Sequence, residues 1–127
     1  MASVVHLDTH VAAWLYAGDT ALLSAPAKRA IEDCDCAISP MAVLELRFLT
    51  EIGRLLDDAD AVIRSLATTI GLHVADEPFG QIVENAYDLD WTRDPFDRLI
   101  TAQARVAGAP LITRDPSIRA HYGRAVW

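Results

Sequence analysis

An α/β fold with a mostly parallel central sheet and helices on both faces is what this chain predicts, on three observations. Short β-branched or apolar runs alternate with longer stretches of helical period. Gly and Pro fall at the joints between them. The alternation continues from the first residues to the last, the pattern of crossover units rather than of hairpins.

The elements follow in order. Residues 3–7 form a β-branched run and are expected as a buried first strand. Thr9 is placed as the N-cap of a helix through Val11-Ala12-Ala13-Trp14-Leu15-Tyr16, stopped by Gly18. Pro26 suits the first turn of a second helix, Ala25–Asp33. Residues 36–38 read as a strand, and Ser39-Pro40 opens a helix carrying Glu45 and Phe48 that ends near Gly53. Residues 57–69 make an amphipathic helix, 72–74 a short strand, and 78–87 another helix. Pro95 begins a helix to Ala107, ended by Gly108; residues 110–113 form a strand, 117–122 a short helix, and 125–127 a terminal edge strand. Repeats, low-complexity stretches and linkers are absent, so the 127 residues are expected to form a single domain, 1–127.

Composition narrows the function. A hydrophobic content of 52% is enough for a real core and argues against disorder. No apolar run approaches the ~20 residues that span a bilayer, and the first residues do not read as a signal peptide. Cys34 and Cys36, the only cysteines, would share a face if both lay in a strand, at a spacing that closes no useful loop, and they are expected as reduced thiols of a cytoplasmic protein. As a zinc signal the pair is weak. A net charge of −7 is wrong for a generic nucleic-acid coat but compatible with an acidic metal site. Lys28 is the only lysine, whereas arginines crowd the last third of the chain.

Four acids carry the chemical signal. Asp8 ends Val4-Val5-His6-Leu7, Glu45 lies in Met41-Ala42-Val43-Leu44-Glu45-Leu46, Asp97 in Asp94-Pro95-Phe96-Asp97-Arg98-Leu99-Ile100, and Asp115 closes Leu111-Ile112-Thr113-Arg114-Asp115. Carboxylates at the edges of apolar segments need compensation. A parallel sheet places its site outside the carboxyl ends of its strands. Asp8 and Asp115 follow predicted strands, and Glu45 and Asp97 lie in the first turns of helices that start at the same edge. A shared divalent cation, hard Mg²⁺ or Mn²⁺ with oxygen ligands, compensates all four. Singly, each acid has an ordinary reading as a turn, a helix cap or a solvated helix residue.

Together these segments resemble the PIN-domain ribonucleases, and among them the VapC toxins of bacterial toxin–antitoxin pairs. The resemblance runs through Leu7-Asp8-Thr9-His10 with Trp14-Leu15, Ile38-Ser39, Leu44-Glu45-Leu46, and Arg93-Asp94-Pro95-Phe96-Asp97-Arg98-Leu99-Ile100. It continues through Ala102-Gln103-Ala104 and Leu111-Ile112-Thr113-Arg114-Asp115 to Tyr122 and Val126-Trp127. It implies a PIN-like three-layer sandwich and metal-dependent hydrolysis of RNA phosphodiester bonds. It implies Asp8, Glu45, Asp97 and Asp115 as catalytic, metal-ligating acids for Mg²⁺, with Mn²⁺ able to substitute. Asp94 is either a further ligand or the cap of the helix at Pro95, the cap being favoured. Arg93, Arg98 and Arg114 are candidates for holding substrate phosphate, and Thr9 and Thr113 for polar support of the carboxylates. Glu45 or Asp97 is expected to orient or deprotonate the attacking water. The resemblance further implies a homodimer and a small VapB-like antitoxin as partner, with a basic residue reaching the acids. The only small departure is Pro40-Met41-Ala42, where relatives carry other residues.

Competing readings are weaker. A haloacid-dehalogenase-like phosphatase wants a second Asp where His10 stands, and a receiver domain wants a lysine after a late strand. A non-catalytic acidic module acting only through partner binding would make the four acids dispensable. His6, His10, His73 and His121 are scattered and read as structural; Trp14, Phe48, Phe96 and Leu99 read as core rather than base-stacking surfaces.

Overall fold

Strand β1 (Val4–Leu7) is the centre of the sheet because its side chains are apolar enough to be covered on both faces: Val5, His6 and Leu7 are all buried. The structure, a computed structural model, describes residues 3–127. After β1 come α1 (Thr9–Ala17), a 3-10 turn (Thr20–Leu22), α2 (Ala25–Asp33), β2 (Asp35–Ile38), α3 (Pro40–Glu51), α4 (Ala59–Ile70) and β3 (His73–Val74). The chain continues through α5 (Phe79–Asn85), α6 (Pro95–Ala107), β4 (Leu111–Ile112), α7 (Pro116–His121) and β5 (Ala125–Val126).

The described strands form one sheet in the order β3-β2-β1-β4-β5. Every pairing is parallel, so the expected mostly parallel sheet is parallel throughout. The register sets Leu7 beside Ile38 on one side and beside Ile112 on the other. The chain moves outward from β1 to β3, then crosses back to β4 on the far side of β1. On that return α6 packs against α5 and also meets α3, where Phe48 and Phe96 touch. The reversal also opens a crevice where the β1 and β4 ends adjoin.

Local sequence sets the helix ends. Ser24, Ser39 and Asp58 accept backbone N–H bonds as N-caps of α2, α3 and α4, and Pro stands in the first turn of α2, α3, α6 and α7. Gly18, Gly71 and Gly108 take left-handed backbone at the ends of α1, α4 and α6. Leu7, Ile38, Leu46, Ile100, Leu111, Ile112 and Ile118 are fully buried around the sheet. A smaller cluster, Ile82, Ala86, Leu89 and Ala102, joins α5 to α6.

One local expectation changes. Asp8, not Thr9, caps α1: the strand ends at Leu7, the helix begins at Thr9, and the Asp8 carboxylate accepts the Thr9 N–H at 2.8 Å. Cys34 and Cys36 do not share a strand face, because Cys34 closes α2 and β2 begins only at Asp35. Both thiols are free; burial pushes that of Cys36 up to about 11, which makes it unreactive.

Candidate metal centre

Three of the four predicted acids are delivered by the ends of elements at the β1–β4 crevice. Asp8 follows β1 directly and Asp115 lies three residues after the end of β4. Asp97 lies in the first turn of α6. Glu45 sits one turn deeper than expected, as the sixth residue of α3. All four line one cavity of about 470 Å³, together with Asp94, His10, Val11, Trp14, Arg114 and Pro116. The cavity is therefore the place where the fold gathers its sequence-distant carboxylates.

The protein stabilises these charges only in part. Asp8 is almost wholly buried, and its two oxygens are engaged differently. One accepts the Thr9 N–H; the other accepts the Thr113 hydroxyl at 2.6 Å. Thr113 Oγ1 in turn accepts the Asp115 N–H at 3.0 Å, so one buried hydroxyl ties two of the acids together. Asp94 and Asp115 are the N-caps of α6 and α7, accepting backbone N–H bonds of 2.8–3.3 Å. Three helix N-termini thus face the cavity, each favouring negative charge.

What remains is unrelieved. Burial raises the Asp8 carboxyl, with Thr113, Thr9 and His10 acting downward and Asp115 adding repulsion. Burial likewise raises Glu45; the nearby Thr9 hydroxyl opposes this, and Asp8 and Asp94 add to it. That hydroxyl makes no hydrogen bond of ordinary geometry and is left buried without a partner. Asp97 is pushed up to about 7, first by burial and then by Asp94, Asp8, Asp115 and Glu45 in turn. One carboxyl feeling four others is the electrostatic signature of a site suited to a positive counter-charge.

The donor set fits a hard divalent cation: five carboxylates, no thiolate, and a single exposed imidazole, His10, at the margin. As they stand, the side chains are held apart, and among the described residues no three acids or imidazoles are drawn together closely enough to hold an ion. Mutual repulsion favours that spread arrangement.

The supporting residues divide. Thr113 is the strongest prop of Asp8, while Thr9 contributes its backbone N–H. Asp94 acts as the helix cap, its carboxylate still within the cavity wall. Of the three arginines, Arg114 alone lines the cavity. Arg98 turns away: its guanidinium donates to the carbonyls of Ala86, Tyr87 and Thr92, clamping the segment between α5 and α6. Three of its five N–H donors are engaged by backbone carbonyls on the side away from the cavity lining. Arg93 is exposed and outside the cavity lining. The sequence reading missed His10 and Trp14 as cavity residues. Their signal was spacing: two and six residues after Asp8, they fall on one face of a helix that starts at the strand end.

Among the described residues no helix is long and apolar enough to cross a membrane. The PIN-domain family model matches residues 5–123. Ribonuclease VapC22 of Mycobacterium tuberculosis is 32% identical over 125 residues, spanning 94% of this chain and 92% of the relative. Two solved structures are similar in fold. One is a toxin–antitoxin complex from Klebsiella pneumoniae, with TM-score 0.64, 21% identity and coverage of 94% and 93% of the two chains. The other is VapBC2 from Rickettsia felis bound to a DNA fragment from their promoter, with TM-score 0.63, 12% identity and 96% coverage of each.

Proposed function

This chain belongs to the PIN-domain family, in the group of its VapC relatives, and on that premise we propose that it is a Mg²⁺- or Mn²⁺-dependent endoribonuclease acting as the toxin of a toxin–antitoxin pair. The observation that carries the proposal is the convergence of Asp8, Glu45, Asp97 and Asp115 on one cavity, with Asp97 raised to about 7 by its acidic neighbours. Asp8, Glu45, Asp97 and Asp115 are the residues that would hold the cation, with Asp94 primarily a cap. When bound, such a cation supplies Lewis acidity toward a phosphodiester and lowers the pKa of water. The protein's own part is to orient. Thr113 and the Thr9 N–H fix the rotamer of Asp8. Glu45 or Asp97, less tightly tied, accepts the proton of the attacking water. Arg114, at the cavity edge, holds the substrate phosphate.

The partner is a small antitoxin acting in the same cytoplasm, with a basic side chain that enters the acidic cavity. The relative's name and the toxin–antitoxin assemblies of similar fold support this reading, as does a net charge of −7. The active unit is proposed to be a homodimer. Leu44, Phe48 and Ile52 form an exposed apolar row along α3, and Phe48 meets Phe96 edge to face at 5.3 Å. Light scattering that found only monomer across micromolar concentrations would remove the dimer from the proposal.

The decisive experiment treats total cellular RNA with partner-free protein, in Mg²⁺, in Mn²⁺ and in EDTA, beside folded Asp8→Asn and Asp97→Asn variants. Discrete fragments that require metal and both acids are expected. Undiminished cleavage in EDTA or by Asp8→Asn would overturn the metal mechanism. No cleavage by folded wild type would favour a non-catalytic module that acts through its partner.

A further inference from the structure

We propose that Trp14 and Arg114 form a shelf that holds one unpaired RNA base beside the scissile phosphate, an inference that rests on the ribonuclease reading above. Trp14 was expected to be core. It does pack against the main core, but it is only half-buried and its remaining surface forms part of the wall of the carboxylate cavity. An indole is an odd wall for a cavity whose other function is to gather charge, unless something flat and apolar enters with the charged group. A single-stranded nucleotide has that composition: an anionic phosphate with a π-faced base one nucleotide away.

Two further observations support the assignment. The indole is set in place from its surroundings. The Trp127 ring lies 6.0 Å away at 57° and the His10 ring 6.1 Å away at 45°, neither in parallel stacking. Trp14 thus has fixed orientation without an aromatic partner stacked on its face. Arg114 places its guanidinium carbon 6.0 Å from the Trp14 ring centroid. Among the described residues Arg114 makes neither an ion pair nor a hydrogen bond, although it borders five carboxylates. A guanidinium that stays over an indole and leaves its forked donors open can meet a phosphate and, with its plane, extend the stacking surface. Phosphate contact carries no sequence information, whereas a base on the shelf does, so this pair is the first element of substrate preference in the site.

The test separates the base from the backbone. End-labelled decamers of riboadenylate, ribouridylate and an abasic ribose-phosphate strand are titrated by fluorescence anisotropy in Mg²⁺. The protein carries Asp97→Asn so that strands survive, and each result is read as a ratio that cancels any loss of metal affinity. Stacking of one base predicts about tenfold tighter binding of the better base-bearing decamer than of the abasic one. Adding Trp14→Leu should bring that ratio close to one, and adding Trp14→Phe should retain most of it. Arg114→Gln should weaken all three strands, the base-bearing ones somewhat more than the abasic one, and flatten the salt dependence. A ratio near one in the Asp97→Asn protein, including no binding of any strand, overturns the shelf and leaves Trp14 to contacts with protein. So does a ratio that a folded Trp14→Leu leaves unchanged. Should Trp14→Leu fail to fold by circular dichroism, Trp14→Met takes its place: a ratio unchanged from that of the indole overturns the proposal, and a ratio near one supports it. Wild-type cleavage measured separately keeps the two readings distinct. Cleavage with a ratio of one removes the shelf alone; a Trp14-dependent ratio without cleavage removes the nuclease alone.

Discussion

Replacing Asp97 by Asn should stabilise the metal-free protein at pH 8 while abolishing its proposed activity. Asp97 is raised from 3.8 to about 7 by burial and by four neighbouring carboxylates. The folded chain therefore holds this proton more tightly than the unfolded chain. The stability linked to it is fully present below pH 3.8 and is lost as pH rises through about 7. At face value the difference is roughly 4 kcal/mol above pH 7. Asp97 is half-exposed, however, and solvent screening reduces this to about 1–2 kcal/mol. Asn is close in shape and carries no charge, so the variant should gain that amount at pH 8 and about a third of it at pH 5. For a chain of this length, about 2 cal/mol/K per residue of unfolding entropy converts the gain to a Tm rise of about 4–8 °C. The assay is thermal unfolding by circular dichroism in EDTA, from pH 5 to pH 8. Wild type should lose stability across that window; the variant should lose less, not nothing, because Asp8 and Glu45 are also raised. Mn²⁺ at pH 8 should raise the wild-type Tm and raise that of the variant less. A variant no more stable than wild type at pH 8, or with an unchanged pH slope, would refute the idea that these carboxylates strain one another.

Other outcomes follow from single contacts. Thr113→Val removes the buried hydroxyl bonded to Asp8 and should cost about 1–3 kcal/mol, measured by urea unfolding, with at least a tenfold loss of kcat/KM on cleaved RNA. Arg98→Met releases three backbone carbonyls and should destabilise by about 1–3 kcal/mol, yet leave the cleavage rate per folded molecule within about twofold. A rate loss much larger than the folding loss would return Arg98 to the substrate. Leu46→Ala, at a fully buried core position, should cost about 2–5 kcal/mol in the same unfolding assay, without altering the metal requirement.

The parts of the fold legible in the sequence are those decided locally. Helices Ala25–Asp33 and Pro95–Ala107 have the bounds expected from their Pro and Gly signals, because a proline in the first turn and a left-handed glycine are local events. The cavity acids were legible too, since a parallel sheet brings its strand ends to one side whatever its side chains. Arg98 was misread because its partners, Ala86 and Tyr87, lie 12 and 11 residues away across a loop whose path no local signal records. Trp14 was read only in part, for a related reason. Helical spacing shows which face a residue shares, and only the placement of Trp127 and Arg114 decides whether that face is closed.

The arrangement of the acids also explains how a small domain tolerates them. Asp8, Asp94 and Asp115 each cap a helix, so three negative charges are partly satisfied by backbone N–H groups that needed an acceptor in any case. Asp97 and Glu45 have no such second role. Among the described residues neither accepts a backbone N–H, although Asp97 stands in the first turn of α6, and both are raised by burial and by their neighbours. The division separates anchoring from responsiveness. The capping acids are fixed by the fold itself and cannot move without loosening a helix end. The two interior acids are held only by repulsion and packing, and so are free to reorient when a cation enters. On this argument the capping acids should be costly to replace in stability and the interior acids should not. Asp115→Asn, which keeps a capping oxygen, should be mild where Asp115→Ala costs about 1 kcal/mol. Equal costs for the two would mean that Asp115 serves the cavity alone.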